Sequence, residues 1–233
     1  SAGLTIKGDG GSENGTLQLN CSQNSHGVKL SSPAHSSGQS YEMVLPTTNI
    51  TAGKFLKVDS VSGSGATGIG QLSFADAGGI TQAQEFYVAS SKSSATNTNT
   101  VLDMTWSATG GVIGSSSNVT VSSGIFSFAT TGIYYIQASL SFYLIANRSS
   151  RYVLGKIEGT TNNSSYSSIA QAYSQINSVT SSTDYASVFP STILDVTDTS
   201  NVKFRLTMEA DEEMEIEYGS NSSSVKIIRL GDT

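Results

Sequence analysis

The chain has 233 residues, enough to bury a sizeable core, with a formal net charge of −6 and only 13% charged residues. This acidic balance offers no basic stripe to a nucleic-acid backbone, and no apolar run approaches the ~18–20 residues of a membrane span. Cys21 is the only cysteine, which excludes an intrachain disulfide and a cysteine-based zinc site. It reads as a small buried hydrophobe, with an interchain contact near a threefold axis as the sharper alternative.

Residues 1–60 read as short alternating strands at Leu4–Lys7, Thr16–Asn20, Gly27–Leu30 and Tyr41–Leu45, punctuated by Gly, Asn, Ser and Pro. Each is too short to stand as a sheet by itself. Such pieces need neighbours, from the same chain or from partner chains. Residues 61–100 read as a connecting region. Ser62–Gly68 is a flexible Gly/Ser loop, and Ser90–Thr100 is the best linker candidate. Between them Thr81–Ser90 fits a short helix or a strand, because periodicity does not decide.

Residues 101–233 read as eight or more strands with turns at the spacing of a sandwich or jelly roll. Their centre is Ile125–Tyr143. Two runs of alternating apolar and small or polar residues flank Thr130-Thr131-Gly132, the pattern of two half-buried strands joined tightly. Gly132 sits where a turn needs positive φ or room beside the backbone. Ile133, Tyr135 and, less cleanly, Leu140 and Phe142 are candidates for burial. No amphipathic helix longer than about two turns is visible.

The words Phe126-Ser127-Phe128 and Gly132-Ile133-Tyr134-Tyr135-Ile136 resemble the hallmark segment of the C1q/tumour-necrosis-factor-like jelly roll. Leu194–Leu206 resembles that family's polar loop before a Val-x-Phe-x-Leu strand. Ser224–Gly231 resembles its final strand, which runs through the middle of the inner sheet. The usual Phe-Ser-Gly-Phe-Leu ending is absent, and no collagen stalk precedes the head. The resemblance implies a trimeric head that binds and rarely catalyses, sometimes with calcium near its apex. Residues 12–60 resemble a module of tailed-phage virion fibres, with a strand ending Leu45-Pro46 followed by Gly53-Lys54-Phe55-Leu56.

The search for chemistry is short. His26 and His35 are the only histidines, and no Gly-x-Ser-x-Gly elbow accompanies them. They read as polar loop or packing positions; alignment across three chains around an ion is the sharper alternative. The glycines after Gly63 mimic a dinucleotide fingerprint but precede no amphipathic helix. Glu209, Asp211, Glu212, Glu213, Glu215 and Glu217 crowd six carboxylates into nine residues. As a strand, Glu213, Glu215 and Glu217 would share a face opposite Met214, Ile216 and Tyr218. Solvent, or Arg148, Arg151, Lys203 or Arg205, could offset that charge. Calcium held by Asp211, Glu213 and Glu215 is the alternative. A carboxylate pair for glycoside hydrolysis is a further alternative, but it needs one raised pKa in an apolar cleft, which a solvated acidic strand would not supply. Exposed tyrosine among Ser and Asn suits recognition of carbohydrate or protein, and Tyr166, Tyr173 and Tyr185 are the candidate receptor contacts.

The expectation is an all-β protein. A fibre-like segment (1–60) and a connector (61–100) precede a C1q/TNF-like jelly-roll head (101–233). The expected assembly is a homotrimer with no catalytic residues and no cofactor, calcium aside. Ser1–Thr5 lacks the basic start and apolar core of a signal peptide, which favours exit by lysis or assembly. The functional expectation is a virion fibre, spike or decoration protein. Its N-terminal segment would bind other virion proteins and its head a host surface glycan or protein. A fibre-borne polysaccharide-degrading enzyme and a secreted C1q-like lectin are the alternatives.

Overall fold

The computed structural model of the chain describes residues 3–76, 78–144, 147–177 and 183–233. It divides into two units, Ser1–Gly78 and Gly79–Thr233. None of the helices among the described residues is long and apolar enough to cross a membrane.

The first unit holds strands β1 (Thr16–Asn20), β2 (Gly27–Ser31), β3 (Glu42–Val44), β4 (Lys54–Ser62) and β5 (Ile69–Asp76). β1 and β2 form an antiparallel hairpin, while β5 pairs with β3 in parallel and with β4 antiparallel. Leu4–Lys7 forms no strand. Among the described residues of this unit, Leu72 is the single buried hydrophobic side chain. Leu17, Leu19, Val28 and Leu30 of the hairpin are all exposed, and so are Phe55, Leu56, Val58 and Val61 of β4. Strands with both faces open gain little from apolar burial.

Cys21 lies in the β1–β2 turn and is half-buried, not a core residue. Among the described residues no second layer covers the hairpin. Its backbone N–H donates to His26 O at 2.9 Å, and its Sγ lies 3.5 Å from Ser25 Oγ and 3.8 Å from His26 Nδ1. The hydrogen bond with Ser25, helped by the His26 backbone, brings the thiol down to about 6.

The second unit begins with β6 (Ala83–Val88), followed by β7 (Thr100–Val101), β8 (Trp106–Ala108), β9 (Val119–Ser122), β10 (Ile125–Phe128), β11 (Gly132–Leu144) and β12 (Tyr152–Thr160). Then come β13 (Ser167–Gln175), β14 (Asp184–Val188), β15 (Ser191–Val196), β16 (Lys203–Ala210), β17 (Glu215–Ile216) and β18 (Ser224–Gly231). They build two sheets. One runs β13-β12-β16-β10-β9, with β7 also on β16; the other runs β14-β11-β18-β6-β8, with β15 and β17 also on β11. The chain crosses repeatedly between the sheets, as at β8–β9, β10–β11, β11–β12, β13–β14 and β15–β16, while β9–β10 and β12–β13 pair within one sheet; all ladders of this unit are antiparallel, which is the winding of a jelly roll. The final strand β18 lies mid-sheet between β11 and β6.

The region read as a connector therefore carries ordered structure. β5 is the central strand of the first unit's three-stranded sheet, and β6 is a full strand of the jelly roll, with Gln84, Phe86 and Val88 buried and Ala83, Glu85 and Tyr87 half-buried. Polar composition hid it, because Gln84 is the buried side chain at its start. The Gln84 amide donates to Ser116 O at 3.0 Å and accepts from Val119 N–H at 3.1 Å. A buried amide satisfied on both sides costs little.

The tight turn before Gly132 joins β10 to β11, but the two strands lie in different sheets and do not pair. Gly132 has φ +146°, and a Cβ there would stand 2.5 Å from Arg229 Nε and 2.6 Å from Gly231 O. Arg229 Nε and Nη2 both donate to Thr131 O, at 3.0 and 2.9 Å. Both the positive φ and the lack of room require glycine.

An aromatic cluster joins the layers. Phe126 of β10 stacks on Phe204 of β16 with centroids 4.6 Å apart. From the other sheet, Phe86 and Trp106 meet Phe126 edge-on at 5.6 and 5.4 Å. Tyr134 packs on Phe128 at 4.4 Å, and its hydroxyl donates to Thr130 O at 2.9 Å. Truncating Phe126, which is fully buried, leaves a void touching both sheets. Phe126→Ala is expected to lose about 3–5 kcal/mol, read as a lower urea midpoint. Phe126→Leu should lose less than half of that.

Candidate functional site

The long strand β11 sets the geometry of one outer face. Tyr134, Ile136, Ala138, Leu140, Phe142 and Leu144 point into the core, each at most 1% exposed. Alternation then turns Ile133, Tyr135, Gln137, Ser139, Ser141 and Tyr143 outward. Ile133 and Tyr135 thus lie on the opposite face to Leu140 and Phe142. Both faces of this strand carry apolar residues, so its period alone does not choose the inner one.

In register, Tyr135 stands opposite Ile193 on β15 and Ile228 on β18. Tyr143 stands opposite Tyr185 on β14, with ring centroids 6.0 Å apart. Between these patches Ser141 and Ser187 share a hydrogen bond of 2.9 Å. Ile193 is 64% exposed, Tyr185 59% and Phe189 58%. The face is apolar at one end, aromatic at the other and serine-lined between.

The outer face of the other sheet has a different chemistry. On β12, Val153 and Ile157 belong to the core, so Tyr152, Leu154, Lys156 and Glu158 point away from it. Glu158 is buried all the same. It accepts from Arg205 Nε at 2.7 Å and from Asn99 Nδ2 at 2.7 Å. The Arg205 guanidinium lies 4.3 Å from the ring centroid of Tyr166. The Tyr166 hydroxyl is buried and has no hydrogen-bond partner among the described residues. Burial raises that phenol, against the opposing charge of Arg205.

Further along the same face, Tyr173 of β13 is 61% exposed, and its ring centroid is 6.1 Å from that of Tyr152. Lys156 Nζ donates to Glu209 Oε2 at 2.7 Å. Burial pushes the Tyr152 phenol up, with Glu209 and Asp211 adding to the shift.

The three tyrosines proposed from the sequence therefore do not converge. Tyr166 and Tyr173 belong to one sheet's side of the sandwich and Tyr185 to the other's. Tyr166 serves as a stacking partner for Arg205, whereas Tyr173 and Tyr185 keep open rings. Of the residues around Tyr173, Glu209 belongs to the acidic cluster read from the sequence, but Leu154 and Lys156 were not singled out. Their signal was the every-second-residue spacing of Tyr152, Leu154 and Lys156.

The acidic segment meets cations. Asp211 Oδ1 accepts from Arg151 N–H at 2.8 Å and Oδ2 from Arg151 Nε at 2.6 Å, while Ser150 donates to Oδ1 at 2.5 Å. Glu213 pairs with Arg148 at 3.1 Å. Glu215 sits cross-strand from Tyr143; burial first, then this carboxylate, pushes the Tyr143 phenol well above its ordinary range. Met214 and Ile216 are buried between these acids, but Tyr218 is exposed. Among the described residues no three His, Cys, Asp or Glu side chains converge as metal ligands. Asp211, Glu213 and Glu215 have neighbouring Ser, Arg and Tyr groups instead. His26 has Ser25 Oγ at 3.0 Å from Nδ1; neither it nor His35 is hydrogen-bonded to a carboxylate among the described residues.

No family model matches the chain, and no curated protein matches it. Among solved structures it is similar to murine APRIL at pH 5.0, with 9% identity and a TM-score of 0.47 over 64% of this chain and 98% of that one. It is also similar to the Eiger TNF of S. frugiperda, with 14% identity and a TM-score of 0.48 over 65% and 93%. The jelly-roll assignment rests on the strand order itself.

Asp211 carries a pH signature. Burial would raise its carboxyl, but the hydrogen bonds from Ser150 and Arg151 outweigh it and hold it down to about 2. A carboxyl lowered on folding from 3.8 stabilises the fold above about pH 4, and that contribution is lost as the pH falls to about 2. Wild-type protein should lose roughly 2 kcal/mol across this window, and Asp211→Asn should lack that step. Urea midpoints measured from pH 2 to pH 5 test it.

Proposed function

We propose that this chain is a structural protein of a tailed-phage particle, a fibre, spike or decoration subunit, that forms a homotrimer and carries an attachment head. One observation carries the reading: the first unit's strands leave most of their apolar residues exposed. Leu17, Leu19, Val28 and Leu30 line one face of the hairpin and are exposed, with no covering layer among the described residues. Copies of the same chain supply that layer when their strands combine. In the head, the outward face at Tyr135, Ile193 and Ile228 supports the same self-association.

Three copies, and a viral setting, follow from the resemblances at residues 125–143 and 12–60. The first unit would bind other virion proteins, and the head would meet a host surface glycan or protein. Three weak contacts acting together raise avidity without any new contact. The location is the virion, assembled in host cytoplasm.

Light scattering on the purified chain is expected to give a particle three times the 24.3-kDa chain mass. A double substitution, Tyr135→Asp with Ile193→Asp, should weaken assembly by at least ~100-fold while leaving the head's β-rich circular dichroism intact. A monomeric wild-type chain at micromolar concentration would refute the reading.

A further inference from the structure

The outward face of β12, β13 and β16 has a property that self-association does not use. Leu154 points out of the sandwich, lies outside the core cluster and is nevertheless only 3% exposed. In register it is flanked by Tyr173 on β13 and Glu209 on β16. Next along β12, Lys156 stands between Gln171 and Thr207. The surrounding side chains thus close over this leucine. An aromatic ring seated on buried carbon loses little freedom when a ligand arrives.

Above this floor the ring of Tyr173 is open, with Tyr152 tilted beside it at an interplanar angle of 55°. The Lys156–Glu209 pair borders the rings. A lysine ammonium has three N–H donors and a carboxylate several lone pairs, so a single mutual contact leaves both able to bond hydroxyls. The exposed Gln171 adds an amide on the same face. Arg151 and Asp211 form a second pair further out. The two cations and two anions cancel, so the patch favours neither an acidic nor a basic ligand. Its remaining chemistry is an open aromatic face ringed by strong donors and acceptors. That combination fits the apolar C–H face and polar hydroxyl rim of a pyranose ring.

We propose that Tyr173 and Tyr152, bordered by Lys156, Glu209 and Gln171, form a binding site for an uncharged oligosaccharide. The site names the ligand class of the attachment head and rests on that reading. Tyr173 supplies the stacking surface; Lys156 and Glu209 orient the sugar through its hydroxyls. Tyr185 takes no part, because it lies on the opposite sheet.

A microarray of neutral and acidic oligosaccharides, probed with the labelled full chain, tests the site. Signal is expected on neutral glycans. In calorimetric titration of the strongest neutral glycan, Tyr173→Ala should weaken binding at least tenfold. Lys156→Met should weaken it severalfold, and Tyr185→Ala should leave it unchanged. Tyr173 is exposed, so circular dichroism of Tyr173→Ala should match wild type. An array silent on neutral glycans, signal confined to acidic ones, or wild-type affinity in Tyr173→Ala each overturns the site. Light scattering on the same sample separates the two readings. A trimer without neutral-glycan binding removes the site alone. A monomer that still binds through Tyr173 keeps the site and removes the trimer.

Discussion

The fold depends on the contact of Phe126 with rings from both layers. Phe204 stacks on it from its own sheet, and Phe86 and Trp106 meet it edge-on from the other. Offset and edge-on aromatic pairs add to the energy of burial and prefer defined geometries. These rings therefore fix where β6 and β8 lie over β10 and β16. Trp106 also donates its Nε1–H to Leu102 O at 2.9 Å, which ties β8 to the segment after β7. Once the sheets are locked together, every strand has one parity committed to the core.

The committed parity gives the head two outer faces of different character. Outside β11 the side chains are Tyr, Ile and Ser with few charges. A surface of that kind resembles a core cut in half and is suited to a second protein surface. Outside β12 and β16 the residues are Lys, Glu, Arg and Tyr, and their charges are paired. Polar pairs beside two tilted tyrosine rings suit a small hydroxylated ligand better than a broad apolar partner. On the proposed reading, assembly and recognition would fall on opposite sides of the sandwich.

The acidic segment shows how local charge is absorbed. Six carboxylates in nine residues would repel in isolation. Arg148 and Arg151 arrive from the region before β12 and neutralise Glu213 and Asp211. Hydrogen bonds from Ser150 and from the Arg151 backbone make Asp211 a fixed anion and a joint between this segment and the start of β12. The first unit has no comparable joint around its hairpin. The hairpin's leucines and valine remain exposed among the described residues.

Period-two alternation is a local property, and much of the fold was legible through it. β1, β10, β11, β16 and β18 follow their sequence patterns closely, and the Gly132 turn announced itself through residue type. The all-β class needed nothing more. Three things required the tertiary structure. β6 begins with a buried glutamine, whose partners Ser116 and Val119 lie some thirty residues away. β11 is apolar on both faces, so only packing against the other sheet chose Tyr134 over Tyr135 for the core. Tyr166, Tyr173 and Tyr185 look equivalent in a Ser-rich sequence. Sheet membership sends one under Arg205, one onto an open charged platform and one to the opposite face. Alternation depends on adjacent residues, whereas the outward or inward fate of a side chain depends on what the second layer brings to it.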